Sequence, residues 1–158
     1  TQGVSSAASD VYKRQDQGYA DSNQAGVVGD AILAQYPDVD AIYATWDSPA
    51  EQIIESAVAV GRDDLIVTTV DLGDSSARIM AENGMIKAIG SPRSYEDGNA
   101  IAMSALYALI DKDLGSGYIA TPTMGVTSEN LLDAYKTIFN TEPDSAIVDL
   151  WNENTGSK

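Results

Sequence analysis

The sequence predicts an α/β fold, in which a parallel sheet carries helices on its faces. Short runs of apolar and β-branched residues alternate with longer segments whose apolar residues repeat at helical spacing. The predicted strands are residues 39–45, 65–70 and 86–90, and the predicted helices that follow them are residues 49–60, 75–83 and 95–111. Strands joined by single helices run parallel, so their carboxyl ends meet at one edge of the sheet.

The clearest strand lies in the run LIVTTVDLG, residues 65–73. Up to Val70 its residues are nearly all apolar or β-branched, which is typical of a buried strand. The strand pattern stops at Asp71, and Gly73 follows. Two interpretations of Asp71 stay open: its carboxylate contacts a ligand at the sheet edge, or it only caps the following helix or turn.

The segment after the first predicted strand has the pattern of a helix start. Ser48 suits the cap position, Pro49 the first helical position, and Glu51 completes a capping box with Ser48. Asp47, directly before this pattern, is explained either as a site residue or as a charge that favours the helix N-terminus.

The last third of the chain is patterned less regularly. Residues 118–126 are predicted to be extended, and Pro122 places them at an edge or crossing position, because proline cannot donate a hydrogen bond to a neighbouring strand. A helix is predicted to end at Phe139. The acidic tail that follows contains Trp151, which we expect to pack back onto the body of the protein.

Composition excludes several classes of function. The 158-residue chain has a formal net charge of −15, which repels nucleic-acid phosphates and anionic membrane surfaces. It has no Cys and no His. This excludes Ser-His-Asp and Cys-His catalysis, and it argues against a zinc site, because zinc sites are usually built from these two residues. No glycine-rich phosphate-binding motif is present. We therefore expect no cofactor, no metal and no nucleic-acid partner.

Residues 1–15, TQGVSSAASDVYKRQ, do not match the pattern of the rest of the chain. The string is typical of translated sequencing-adapter read-through, which predicts that the native protein begins near Asp16 and that its upstream portion is missing. The alternative is a disordered native N-terminus.

The predicted sheet edge collects an aromatic residue, two carboxylates and an arginine. These are Trp46 and Asp47 after the first strand, Asp71 after the second, and Pro92 and Arg93 after the third. A carboxylate accepts charge-assisted hydrogen bonds from neighbouring hydroxyls, an indole covers the C–H side of a sugar ring, and a guanidinium donates to hydroxyl oxygens. The set suits an uncharged, hydroxyl-rich small molecule. Each residue also has a structural explanation: Trp46 as a core aromatic, Asp47 at a helix start, and Arg93 as an exposed loop charge.

Three pieces of the chain occur in this order: YPDVDAIYATWDSPA (36–50), LIVTTVDLG (65–73) and ENGMIKAIGSPRSYEDG (82–98). Together they resemble the C-terminal half of the type I periplasmic binding proteins, in the ribose-binding-like branch that serves ABC sugar importers. By this resemblance Asp71 matches the family carboxylate that holds sugar hydroxyls. Trp46 departs from the usual polar residue, and Pro92 stands where the family often has Gln, with Arg93 as a possible substitute donor. The resemblance implies no catalytic residue, so we expect a binding protein and not an enzyme.

The resemblance also implies a division of the chain between two α/β lobes that close on a ligand. Residues 16–92 would belong to the C-terminal lobe, residues 93–140 would return to the N-terminal lobe and form the last crossing segment, and residues 141–158 would be a tail. The chain would then hold about half of a site for a sugar or related polyol. The implied protein is a periplasmic or membrane-anchored extracytoplasmic monomer that delivers its ligand to the membrane subunits of an ABC importer.

Two other functions stay open. The effector-binding domain of a LacI-type transcription repressor shares this fold, and only the upstream sequence, a helix-turn-helix or a secretion signal, would separate the two. An α/β phosphotransferase using Asp47 and Asp71 with Mg²⁺ is the third hypothesis, but no accompanying Lys or Ser/Thr motif supports it.

Overall fold

A computed structural model describes residues 21–155, so the suspected artefact at residues 1–15 lies outside the described residues. The helices are α1 (Ala25–Gln35), α2 (Asp47–Ala59), α3 (Asp74–Ala81), α4 (Ser94–Leu109), α5 (Leu131–Phe139) and α6 (Ser145–Asn154). The strands are β1 (Ala41–Tyr43), β2 (Ile66–Val70), β3 (Ile86–Pro92) and β4 (Thr123–Val126), and a 3-10 turn, Ser22–Gln24, precedes α1.

The four strands form one sheet in the order β1-β2-β3-β4. The first three strands are parallel, with Tyr43 opposite Thr68 and Val70 opposite Gly90. This confirms the predicted parallel arrangement and places the carboxyl ends of β1, β2 and β3 at one edge. β4 is antiparallel to β3 at the far side of the sheet, where Pro122 led us to expect an edge segment.

The core lies on one face of the sheet, between the strands and helices α2, α3, α5 and α6, and Leu33 of α1 also belongs to it. Along β2, Val67 and Thr69 are buried at 0% and 2% exposure, while Ile66 on the opposite face is 42% exposed. Successive side chains of a strand point to opposite faces, so this alternation marks the second face as uncovered in the described part of the chain. The largest fully buried side chains come from strands and helices alike: Leu65, Met80, Ile86, Ile89, Leu131, Ile138 and Ile147.

Helix α4 lies apart from this core. None of its residues is buried, and it exposes large apolar side chains, with Ile101 72% and Leu109 82% exposed. A helix of a folded domain normally buries one apolar stripe. The apolar surface of α4 therefore has no cover among residues 21–155.

Helix α6 was not predicted, because the acidic residues around it mask a short apolar stripe. Asp144 accepts a hydrogen bond from the Ala146 N–H at 2.8 Å and caps the helix, and Ile147 is fully buried. The expected return of Trp151 onto the body is confirmed: its indole N–H donates to the Ser128 carbonyl at 2.7 Å, and its ring packs against the core.

The contrast between core and α4 can be measured with two matched substitutions. Ile89→Ala should lower the free energy of unfolding by about 2–5 kcal/mol, because Ile89 is 2% exposed and its removal leaves a cavity. Ile101→Ala should change it by less than about 0.5 kcal/mol, because that side chain is already in water. Urea unfolding of both variants measures the difference, and equal losses would show that α4 is packed in solution.

Candidate functional site

The first strand end is formed by Trp46 and Asp47. Trp46 occupies the cap position of α2 in an extended conformation, with φ −162° and ψ 178°, and is 38% exposed. Helix α2 begins at Asp47, whose Oδ1 accepts the Ser48 N–H at 2.7 Å. The predicted Ser48 cap is therefore wrong: Asp47 satisfies one of the free N–H groups of the first turn, and the helix begins two residues earlier than predicted. The interpretation of Asp47 as a charge at a helix start is confirmed, which leaves its second oxygen to be explained.

The second strand end presents Asp71 in an unusual backbone conformation. Its φ is +68°, in the left-handed region that favours glycine. The Asp71 N–H donates to the Gly90 carbonyl at 3.1 Å, and the next N–H, of Leu72, donates to Ser91 Oγ at 3.2 Å. These two bonds fix the end of β2 to the end of β3, and the Asp71 side chain is left exposed to solvent.

Asp71 does not cap α3. Gly73 occupies the cap position, and Ser76 Oγ accepts the Gly73 N–H at 2.9 Å. The helix-capping interpretation of Asp71 is thereby wrong.

The ends of β1 and β2 meet through Asp47, whose Oδ2 lies beside the Cα of Gly73. One turn along α2 from Asp47, burial raises the pKa of Glu51, and the neighbouring charge of Asp47 raises it further, while a hydrogen bond with Ser75 acts in the opposite direction. Glu51, which we had assigned to a capping box, is therefore part of an acidic cluster at this edge. The amino-acid pattern alone contains no signal for that placement.

The third strand end carries Pro92 and Arg93. Pro92 is the last residue of β3 and pairs with Thr123, and the Arg93 N–H donates to the Pro122 carbonyl at 3.2 Å. The Arg93 guanidinium forms an ion pair with Glu96 in the first turn of α4. Arg93 is therefore held toward α4, and its ion pair partly neutralises the charge that a ligand would meet.

Three buried side-chain atoms near this ion pair have no hydrogen-bond partner within the described residues. They are Arg93 Nε, Glu96 Oε2 and Asp97 Oδ1. A cavity of ≈ 350 Å³ lies next to them, lined by Asp97, Ala100, Ile101, Ser104, Ile119 and Thr121. This cavity lies between α4 and the segment that follows it, and none of the five predicted site residues lines it.

The five predicted residues all lie at the carboxyl edge of the sheet. Trp46 and Arg93 occupy helix cap positions, Asp47 begins a helix, Asp71 follows β2, and Pro92 pairs through its backbone with Thr123. Asp47, Glu51, Asp71 and Asp74 lie near the ends of the first two strands, and Arg93 after the third strand is ion-paired with Glu96, so acidic groups predominate at the edge. Among residues 21–155 there is no group of three or more acidic side chains placed to hold a metal ion. Within the same residues, no helix combines the length and apolarity that crossing a bilayer requires.

Similarity to solved structures is extensive for this arrangement. GanP, a glucose-galactose binding protein from Geobacillus stearothermophilus, superimposes with a TM-score of 0.62 at 22% identity, over 71% of this chain and 40% of that chain. A 5-methylthioribose transporter solute-binding protein from Thermotoga lettingae superimposes with a TM-score of 0.63 at 18% identity, over 84% of this chain and 46% of that chain. A solute-binding protein of an ABC transporter from Mycobacterium smegmatis, with bound glycerol, has a TM-score of 0.66 at 20% identity, over 72% of this chain and 40% of that chain.

The fold is that of the ABC-transporter solute-binding proteins. The predicted type I periplasmic-binding-protein architecture is therefore confirmed, although no protein-family model and no curated protein sequence matches the chain. The chain spans 40% to 46% of the length of these three solved structures. All three of these neighbours are sugar- or solute-binding proteins.

Glu51→Gln tests the electrostatics of the edge. The raised pKa of Glu51 means that its ionised form is disfavoured in the folded state, so ionised Glu51 lowers stability above its folded pKa and has no such effect once protonated. The variant should raise the free energy of unfolding by up to about 0.5 kcal/mol at neutral pH and leave it unchanged at about pH 3. Glu153→Gln, at an exposed position on α6, is the control. Destabilisation by Glu51→Gln at neutral pH would contradict the account.

Proposed function

We propose that this chain is the ligand-binding part of a solute-binding protein that delivers a sugar or related polyol to an ABC importer. The observation that carries the proposal is Asp71: an exposed carboxylate at the end of the central strand, fixed at φ +68° by the hydrogen bond to Gly90. Left-handed backbone at a non-glycine residue lowers stability, and such residues concentrate at binding sites. Asp71 caps no helix, and its side chain is exposed to solvent, so its carboxylate is accessible to a ligand.

The chemistry of the edge fits a neutral ligand with several hydroxyls. Asp71 and the free oxygen of Asp47 can accept hydrogen bonds from adjacent hydroxyl groups, and charge-assisted bonds of this type are about twice as strong as neutral ones. Trp46, 38% exposed beside them, offers an aromatic face to the C–H side of a sugar ring. An anionic ligand would be repelled by Asp47, Glu51, Asp71 and Asp74, which disfavours phosphorylated sugars.

Arg93 and Pro92 form the third part of the proposed site. Pro92 brings the chain to the edge but donates no hydrogen bond. Arg93 Nε is buried and has no partner within the described residues, so it has a donor to spare while its terminal nitrogen pairs with Glu96. We assign Arg93 to the ligand side of the turn into α4.

The solved neighbours support this ligand class. Proteins of the same fold from Agrobacterium vitis hold allitol and α-D-tagatopyranose, and the Mycobacterium smegmatis protein holds glycerol. These are neutral polyols or sugars, as the chemistry of the edge requires. The transporter setting of these neighbours also favours the importer protein over the LacI-type repressor.

We further propose that the whole protein has two lobes and that residues 16–92 belong to one of them. The exposed face of the sheet and the uncovered apolar surface of α4 support this division, because both need a covering layer. Residues 93–140 would then return to the second lobe and form the last crossing, with residues 141–158 as a tail. The proposed protein is an extracytoplasmic monomer and not an enzyme; its partners are its ligand and the importer's membrane subunits, and its net charge of −15 disfavours nucleic acid.

Thermal unfolding of the chain with glucose, galactose, tagatose, allitol or 5-methylthioribose tests the proposal. Half of a site predicts weak binding, and a ligand present at ten times its Kd should add about 1.4 kcal/mol of stability. Asp71→Asn is the matched control, because Asn tolerates the left-handed backbone but lacks the charge.

The control also corrects for a general effect, since polyols stabilise folded proteins by exclusion from their surface. The proposal predicts that at least one sugar stabilises the natural chain more than Asp71→Asn. Asp71→Gly should lose the same increment while keeping or raising the stability of the free chain, because glycine relieves the backbone strain. Equal stabilisation of all three proteins by every sugar would refute a site at Asp71.

A further inference from the structure

Gly73 follows β2 and lies against the side chain of Asp47, which follows β1. Its backbone does not need glycine: φ −121° and ψ 174° are ordinary extended values that any residue adopts. The reason for glycine must therefore lie in the space around it.

That space is filled by a carboxylate. A Cβ added to Gly73 would lie 2.6 Å from Asp47 Oδ2, well inside the 3.4 Å at which ordinary van der Waals contact begins. By contrast, a Cβ added to Gly125 would meet no heavy atom within 4 Å. The absence of a side chain at Gly73 is thus what admits the Asp47 carboxylate.

Neither partner can easily move away. Gly73 is fixed by reciprocal hydrogen bonds with Ser76, at 2.9 Å from its N–H to Oγ and 3.1 Å from Oγ–H to its carbonyl. Asp47 is fixed through its other oxygen, which accepts the Ser48 N–H at 2.7 Å. A methyl group at residue 73 would therefore have to displace the carboxylate and break its bond to Ser48.

We infer that Gly73 is a positioning residue, which lets the Asp47 carboxylate lie against the start of α3, two residues from Asp71, so that one ligand can meet both carboxylates. The inference rests on the proposed function for the role of the two carboxylates. The placement of Asp47 by Gly73 is independent of any ligand, and it is this placement that specifies the spacing of the acceptors. A side chain at residue 73 would change which pair of hydroxyls the site accepts.

The Ser48 amide resonance reports the placement directly. In the 158-residue chain at neutral pH, Asp47→Asn should move this resonance, because the amide then donates to a neutral acceptor and the charge-assisted hydrogen bond is lost. Gly73→Ala should move it in the same direction, because the added methyl group displaces the carboxylate. Gly125→Ala, the control with open space around it, should leave the resonance in place.

A Ser48 resonance left in place by Gly73→Ala would overturn the inference. If Gly73→Ala fails to fold, it is combined with Asp47→Ala: recovery of folding supports the contact with Asp47, and continued failure overturns it. The test uses no ligand, so it separates two failures. Movement of the Ser48 resonance in Gly73→Ala, together with a natural chain that binds no polyol, would refute the proposed function and leave the placement of Asp47 intact.

Discussion

The hydrogen bonds on both sides of β2 determine the rest of this structure. Val67 N–H donates to the Met85 carbonyl at 2.9 Å, and the Thr68 carbonyl accepts from Ala44 N–H at 2.9 Å, so β2 is joined to β3 and β1 together. A buried strand must satisfy its backbone groups in this way. Because all three strands are parallel, their carboxyl ends lie side by side, and every side chain that follows a strand is brought to one edge.

That edge departs from the rules that stabilise the remainder of the fold. Asp71 adopts a left-handed backbone, Asp47 and Glu51 place two carboxylates near each other, and Arg93 keeps a buried Nε without a partner in the described chain. Positive φ also occurs at Asn83, Asp111 and Asn140, but each of these lies within two residues of a helix C-terminus, where left-handed backbone is usual. Asp71 instead follows a strand, and a departure of this kind at the edge of a well-packed sheet is expected of groups that are arranged for a ligand and not for the fold.

The sequence was sufficient for the architecture and for placing Trp46, Asp47, Asp71, Pro92 and Arg93 after three neighbouring strands, but not for placing Glu51 at the same edge. The β-branched run at 65–70 and its alternation with helices predicted the parallel order, because burial and crossover handedness leave few other arrangements. The Ser48 cap failed because two adjacent polar residues compete for one helix start. Helix α6 was missed because its apolar stripe is short. The approach of Asp47 to Gly73 depends on the packing of α2 against α3, and no local pattern encodes a distance between residues 26 positions apart.

The most direct test of a shared polyol site at the three strand ends is an amide chemical-shift map of the 158-residue chain, recorded with and without the sugar that stabilises it most. The account predicts that the perturbed amides cluster at residues 46–48, 71–73 and 91–93, which come together only through the parallel sheet. Perturbations confined to residues 97–104 and 119–121 would place the ligand in the cavity beside α4 and contradict a site at the strand ends.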